Sequence, residues 1–392
     1  MASLKTGEPR PFQIHIEGAV LDDLRARLAR ARWPEKETVD DWSQGVPLAW
    51  LKNICSYWQN EYDWRQCESK LNAFGSSQIK IDDLDFHFLH VRSPHENALP
   101  LILTHGWPGS VVEFFDLIPL LTDPAQTGDE EVQAFHVVVP SLPGYGFSGK
   151  PKSIGWNVEK TADAWAALMA KLGYEEFVAQ GGDWGSVVST ELGKRHPERC
   201  KAVHLNLVSA KPDRSVIESP TADEASALKK MMSHRRTGTG YSKQQSTKPQ
   251  TLGYGLTDSP VGQAAWILEK FFEWMDVDGA PDTALAPDHL LDNVMMYWLT
   301  ASAASSARLY WESFYKIDLE PVQFPVGCTI FPKEISVPSR RWAEARFQNI
   351  IHFNEAERGG HFAALEQPAF LAEEIRASFR NVEVNSKRGA SI

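Results

Sequence analysis

The stretch Phe177-Val178-Ala179-Gln180-Gly181-Gly182-Asp183-Trp184-Gly185-Ser186 decides how this chain is read. An apolar run of strand type leads in, and a helical pattern, Val187, Val188 and Leu192, leads out. Gly181 and Gly185 stand two positions on either side of Asp183, which makes the G-x-S-x-G turn with aspartate in place of serine. Such a turn lifts one side chain clear of a sheet, and its glycines relieve the crowding. The residue type then selects the electrophile. A serine attacking a carbonyl gives a stable ester, whereas a carboxylate attacking a carbonyl gives a labile anhydride. At a saturated carbon the carboxylate gives an alkyl ester that water can cleave. Asp183 as nucleophile therefore predicts an sp3 carbon bearing a leaving group, as in an epoxide or an alkyl halide. Taken alone, an aspartate at this place is also an ordinary helix N-cap.

Working outward, apolar strands alternate with helices on both sides of the turn. Residues 84–92 alternate in strand fashion, followed by Leu101-Ile102-Leu103, Phe135–Val139, Phe177–Ala179 and Ala202–Leu205. Between them Ala162–Leu172 reads as a helix closed by Gly173 at C′. This pattern predicts an α/β fold with a mostly parallel central sheet covered on both faces. From 211 to 324 the strand signal gives way to helical sequence, an expected lid. Strands resume at Val326–Phe331 and Ile350–Phe353, and a last helix begins at Pro368. Residues 1–80 read as a helical arm that precedes any sheet. In it Leu21, Leu24 and Leu28 share a face, Trp33-Pro34 ends that helix, and Leu48, Leu51, Ile54 and Trp58 mark a second. The expected divisions are 1–80 (arm), 81–210 (core, first part), 211–324 (lid) and 325–392 (core, second part), with 383–392 a disordered tail.

Composition narrows the classes. A chain of 392 residues with 43% hydrophobic and 23% charged residues suits one large α/β unit with additions. A net charge of −11 without a basic stripe argues against nucleic acid. Cys55, Cys67, Cys200 and Cys328 lack Cys-x-x-Cys spacing, so reduced thiols are expected, and no metal motif is present. No apolar stretch approaches the roughly 20 residues of a membrane span, and no signal peptide is apparent, so a cytoplasmic protein is expected. The 14 tryptophans suit an apolar pocket with polar handles.

Three further segments supply what a carboxylate nucleophile needs. His105-Gly106-Trp107-Pro108-Gly109-Ser110 follows the Leu101–Leu103 strand, where an α/β-hydrolase places its oxyanion loop. The backbone N–H groups of Trp107 and Trp184 are the expected oxyanion donors, and His105 is a structural hydrogen-bonder. Gly359-Gly360-His361-Phe362 follows the last strand, which suits His361 as the base that activates water. Glu334, in Phe331-Pro332-Lys333-Glu334, ends the preceding strand and is the expected carboxylate partner of that base, with Asp276 and Asp278 as weaker rivals. An opened epoxide leaves an alkoxide, which phenol hydroxyls over Asp183 can protonate. The lid offers Tyr241, Tyr254, Tyr297, Tyr310 and Tyr315, and the residues alone do not choose among them. Gly144-Tyr145-Gly146-Phe147-Ser148-Gly149 matches G-x-G-x-x-G, but Lys150-Pro151 follows where a helix must open, so no dinucleotide is implied.

Together His-Gly-Trp-Pro-Gly-Ser, Gly-Gly-Asp-Trp-Gly-Ser and Gly-Gly-His-Phe-Ala-Ala-Leu-Glu resemble the microsomal-type epoxide hydrolase family. Pro11-Phe12, Arg32-Trp33-Pro34 and Tyr62-Asp63-Trp64-Arg65 extend the resemblance into the arm. It implies an α/β-hydrolase core with arm and lid, and hydrolysis of a small apolar epoxide by water without a cofactor or metal. The chain is expected to depart from the membrane-bound members in lacking their N-terminal anchor, and so resembles the soluble ones. It is also compatible with a homodimer. By the same resemblance Tyr241, ahead of Gln245–Gly253, and Tyr310, in Arg308-Leu309-Tyr310-Trp311-Glu312, are the two lid tyrosines. The acid varies among members between Asp and Glu, and this chain carries Glu334. Two rivals stand beside this reading: a haloalkane dehalogenase, and a non-catalytic receptor of the same fold.

Overall fold

The computed structural model describes residues 4–124 and 132–384. Nine strands form one sheet: β1 (Arg10–Pro11), β2 (Ser76–Ile81), β3 (Leu84–Val91), β4 (Leu99–Thr104), β5 (Phe135–Pro140), β6 (Phe177–Gly181), β7 (Cys200–Leu205), β8 (Val326–Ile330) and β9 (Ile350–Glu355). Their order is β1-β2-β3-β5-β4-β6-β7-β8-β9. Pairing is antiparallel from β1 to β5 and parallel from β5 to β9. The continuous apolar runs of β4 to β8 follow from helices covering both faces. Leu101, Ile102, Leu103, Val137, Val138, Val139, Val178 and Ala179 are all fully buried.

The sheet begins earlier than the sequence suggests. Residues 1–80 do not all precede it, because β1 and β2 belong to its antiparallel edge. β2 reads Ser-Ser-Gln-Ile-Lys-Ile, and only Ile79 and Ile81 supply an apolar alternation, too short to mark a strand by itself. Its partner β3 supplies the register, Ile79 opposite Phe86. The first arm helix, Gly18–Ala29, also stops short of Trp33-Pro34. Its last turn tightens as the N–H groups of Arg30 and Ala31 reach the carbonyls of Arg27 and Leu28. The final helix starts at Pro368 as expected, and the expected tail lies, from 385 onward, outside the described residues.

Between β7 and β8 the chain is helical in its regular elements, from Arg214–Glu218 to Ala303–Ser313, with short one-turn segments between. The arm fastens to this lid. Trp50 Nε1 donates to Asp282 at 2.7 Å, Tyr57 Oη to Asp288 at 2.9 Å, and Tyr62 Oη to Asp292 at 2.6 Å. The last two acceptors lie on helix Pro287–Trp298. Burial pushes the Asp292 carboxyl up to about 6, while the Tyr62 hydroxyl pulls it back.

At the C-terminal end of β6 the chain reverses into helix Asp183–Arg195, and Asp183 itself has φ +47°. That left-handed conformation is costly for a side-chain-bearing residue, and tight packing must hold it. Gly185 makes the approach possible: a Cβ there would lie 1.8 Å from the Thr104 carbonyl oxygen at the end of β4.

Glycine packing and the arm-to-lid hydrogen bonds set the stability of three variants. Gly185→Ala should lower stability by about 3 kcal/mol or prevent folding, since backbone must move. Gly255→Ala in helix Pro249–Asp258, where a Cβ meets nothing within 4 Å, should lie within about 1 kcal/mol of the parent. Urea unfolding of both variants checks the pair. Tyr62→Phe strands a buried carboxyl and should cost about 1–3 kcal/mol in the same assay.

Candidate active site

The strand ends of β4, β6, β8 and β9 bring four distant segments to one place, the crevice at the carboxyl ends of a parallel sheet. Asp183 is aimed there by its left-handed backbone. Its Oδ1 accepts from the Trp107 N–H at 2.8 Å, across from the loop after β4. A helix cap would accept from an N–H two or three residues onward, so this bond ties the carboxylate to the neighbouring loop instead. Gly106 makes room, because a Cβ there would fall 2.2 Å from the same oxygen. Burial raises the Asp183 pKa, while His361 and the N–H groups of Trp107 and Trp184 pull it down. Of the two expected backbone donors, the Trp107 N–H makes the hydrogen bond to this carboxylate. The Trp107–Pro108 peptide is cis.

His361 stands opposite, its Nε2 3.5 Å from Asp183 Oδ2. Its Nδ1 meets Glu334 Oε1 at 2.7 Å, and Glu334 is fully buried on the turn after β8. The same oxygen accepts the Ile335 N–H at 2.5 Å, which fixes the carboxylate. Glu334 Oε2 is buried without a protein partner among the described residues. Burial alone pulls the imidazolium pKa down, but the carboxylates of Glu334 and Asp183 outweigh it and bring it to about 9. His105 lies elsewhere in the network. Its Nδ1 faces the Gly106 carbonyl, its Nε2 accepts from the Leu142 N–H, and burial lowers its pKa to about 4.

The lid tyrosines divide into three groups. Tyr241 stacks on the Trp107 indole with centroids 5.1 Å apart, and Tyr310 packs edge-on against Trp184 at 4.8 Å. The two phenol rings are 5.9 Å from each other. Burial foremost, with the Asp183 charge adding, raises both phenol pKa values well above 10, so both stay protonated donors. Tyr297 instead donates to the Gly109 carbonyl at 2.7 Å, and Tyr254 and Tyr315 are exposed.

Several supporting residues gave no signal in the sequence. Asn293 of helix Pro287–Trp298 donates to the Pro108 carbonyl at 2.7 Å and accepts from Ser110 Oγ at 2.8 Å. The Trp274 carbonyl, at the end of helix Pro260–Trp274, accepts the His361 N–H at 2.9 Å. Asp276, weighed as a partner for the base, accepts the Gly359 N–H at 2.8 Å and so braces the histidine loop, while Asp278 is exposed. Glu366 accepts the N–H groups of both Asp276 and Phe362. These are lid-to-core contacts that only the folded chain creates. Among the described residues no cluster of ligands suited to a metal ion occurs, and no helix is long and apolar enough to cross a membrane.

Comparison with known proteins shows the family of the chain. Residues 9–114 match the model of the epoxide hydrolase N terminus, and residues 100–229 match that of the alpha/beta hydrolase fold. The chain is 51% identical over 378 residues to a Stigmatella aurantiaca protein provisionally named as an epoxide hydrolase, covering 95% of this chain and 85% of that one. The structure of Aspergillus niger epoxide hydrolase superposes with a TM-score of 0.87 at 35% identity, covering 96% of this chain and 97% of that one. That of Bombyx mori juvenile hormone epoxide hydrolase does so with a TM-score of 0.89 at 30% identity, covering 95% and 94%. With its matching N-terminal segment, its α/β-hydrolase core and relatives that share nearly its whole length, this chain belongs to the epoxide hydrolase family.

Proposed function

We propose that this chain converts small apolar epoxides to vicinal diols through an alkyl ester on Asp183. The observation that carries the reading is the division of labour at one carboxylate. Oδ1 is engaged by the Trp107 N–H, which leaves Oδ2, the oxygen facing His361, free to attack. Oδ2 bonds to a ring carbon as the ring C–O bond breaks. Tyr241 and Tyr310 donate to the departing oxygen, and their protonated state at neutral pH suits that task. Oδ1 becomes the ester carbonyl oxygen, already seated on the Trp107 N–H.

His361 then takes a proton from water through Nε2 while Glu334 holds Nδ1–H. The water oxygen bonds to the ester carbonyl carbon, and the N–H groups of Trp107 and Trp184 stabilise the oxyanion. Collapse breaks the bond between that carbon and Oδ2. Oδ2 leaves on the diol, protonated by His361, and the water oxygen stays in the carboxyl group. The remaining proton of that group passes to the phenolate left when a lid tyrosine protonated the ring oxygen, which restores both carboxylate and phenol. The first step prepares the second. In the resting site the Asp183 charge helps keep a proton on His361, and esterification removes that charge, so the ring loses its proton more easily.

The buried indole N–H of Trp184 has no well-aligned hydrogen-bond partner among the described residues, although it interacts with the Tyr310 hydroxyl, and such a donor suits a halide leaving group. The two phenols favour oxygen, which sets the order of the two readings.

His361→Gln should form the ester and fail to cleave it. After incubation with styrene oxide, intact mass should show one added substrate mapping to Asp183. Absence of any adduct with undiminished diol formation would sink the mechanism, and chloride release from 1-chlorobutane without diol from styrene oxide would reverse the substrate class. In the parent, ester decay in a single turnover should accelerate with pH through one ionisation whose midpoint lies below about 9, the value for the unesterified site. A flat profile across neutral and alkaline pH would remove His361 from the role of base.

A further inference from the structure

A cavity of about 20 Å³ lies against the Asp183 carboxylate, walled in part by Thr104, Gly109, Glu113, Gln180, Asp183 and His361. That is room for one water molecule. Two buried polar atoms of its wall residues, Thr104 Oγ1 and Gln180 Oε1, have no hydrogen-bond partner in the protein among the described residues. Neither Tyr241 nor Tyr310 belongs to its wall, so it opens on Asp183 from a different side than the phenols.

Glu113 is the carboxyl group of this wall that the mechanism leaves unused. It sits on the single turn Val111–Phe114, directly after the Trp107 loop. Its side chain folds back over Gly109, where a Cβ would lie 1.3 Å from Glu113 Oε1. Glycine at 109 is thus what admits the carboxyl to the site. Burial pushes Glu113 up to about 8, His361 pulls it down and Asp183 raises it. A carboxyl kept neutral adds no further charge beside Asp183, and its carbonyl oxygen still accepts a hydrogen bond.

We propose that Glu113 seats the hydrolytic water: a Glu113 oxygen accepts one O–H while His361 Nε2 takes the other proton, which turns the oxygen lone pair toward the Asp183 ester carbon. The buried Thr104 and Gln180 oxygens complete the polar wall of this seat. Epoxide and water then approach Asp183 from different sides, and the water can stay in place while the ester forms. The assignment rests on the epoxide reading above and adds to it a residue specific to the second step.

The test separates the two steps with Glu113→Met, unbranched and without an acceptor oxygen, and Glu113→Gln, which keeps one at the same reach. Each is mixed with styrene oxide, and ester formation and ester decay are followed separately by rapid quench and intact mass. Glu113→Met should form the ester within about threefold of the parent rate and cleave it at least about tenfold more slowly, the loss expected for one directed hydrogen bond. Glu113→Gln should recover most of the cleavage rate. Cleavage by Glu113→Met at the parent rate would overturn the assignment and leave the epoxide reading standing. Equal slowing of both steps would also overturn it, because a general distortion of Asp183 affects formation and decay together. If the parent itself forms neither ester nor diol, the epoxide reading fails and takes this assignment with it.

Discussion

The left-handed backbone of Asp183 is the constraint on which the rest of the site depends. At φ +47° the side chain leaves the sheet end and enters the crevice, and the neighbouring backbone must come very close to permit it. Gly181, Gly185 and Gly106 mark those approaches from β6, from the following helix and from the loop after β4. A methyl group at any of them would overlap backbone or the carboxylate itself. The conformation is unfavourable locally, and the buried parallel strands on either side hold it. The same compression brings the Trp107 N–H within 2.8 Å of Asp183, so the proposed nucleophile and its proposed oxyanion donor are set by one packing arrangement.

The arm and lid act on that arrangement from outside. Tyr57 and Tyr62 of the arm bind the carboxylates of Asp288 and Asp292 on helix Pro287–Trp298. From the same helix Asn293 and Tyr297 hold the carbonyls of Pro108 and Gly109. A continuous series of hydrogen bonds thus runs from the N-terminal arm through the lid to the loop that holds Trp107, Pro108 and Gly109. The neighbouring helix, Pro260–Trp274, holds the histidine loop through its last carbonyl. A Cβ on Gly360 would lie 2.3 Å from that carbonyl, which explains one of the paired glycines before His361. Trp50, Tyr57 and Tyr62 of the arm are therefore interface residues.

The parts of this architecture legible in the sequence are those with a local physical signature. Fully buried parallel strands give unbroken apolar runs, and a strained turn demands glycine at fixed offsets, so the core and the Asp183, His361 and Glu334 segments stand out. Edge strands carry no such mark: Ser76–Ile81 is half polar because solvent reaches one side of it, and Arg10–Pro11 is too short for any period. Asn293 was silent for another reason. Asn293 matters through partners 183 and 185 residues away, and nothing near it in sequence sets it apart from an ordinary helical asparagine. Glu113 did carry a faint mark, a carboxylate within the apolar run Val111-Val112-Glu113-Phe114-Phe115, where a charge without purpose is expensive to bury.

The choice of glutamate at 334 fits the same geometric logic. His361 leaves the β9 side and Glu334 the β8 side, so the carboxylate must span the gap between two neighbouring strand ends. Its Oε1 reaches Nδ1 at 2.7 Å while also accepting the N–H of the next residue, so the side chain curls back on its own turn and still meets the ring. An aspartate rooted at the same Cα is one methylene shorter, about 1.5 Å of reach. It could satisfy the Ile335 N–H or the imidazole but would need the turn to advance to satisfy both. In the proposed mechanism the longer side chain leaves the imidazole orientation to one doubly engaged oxygen, and the second, unpartnered oxygen keeps the carboxylate a strong acceptor toward the ring it orients.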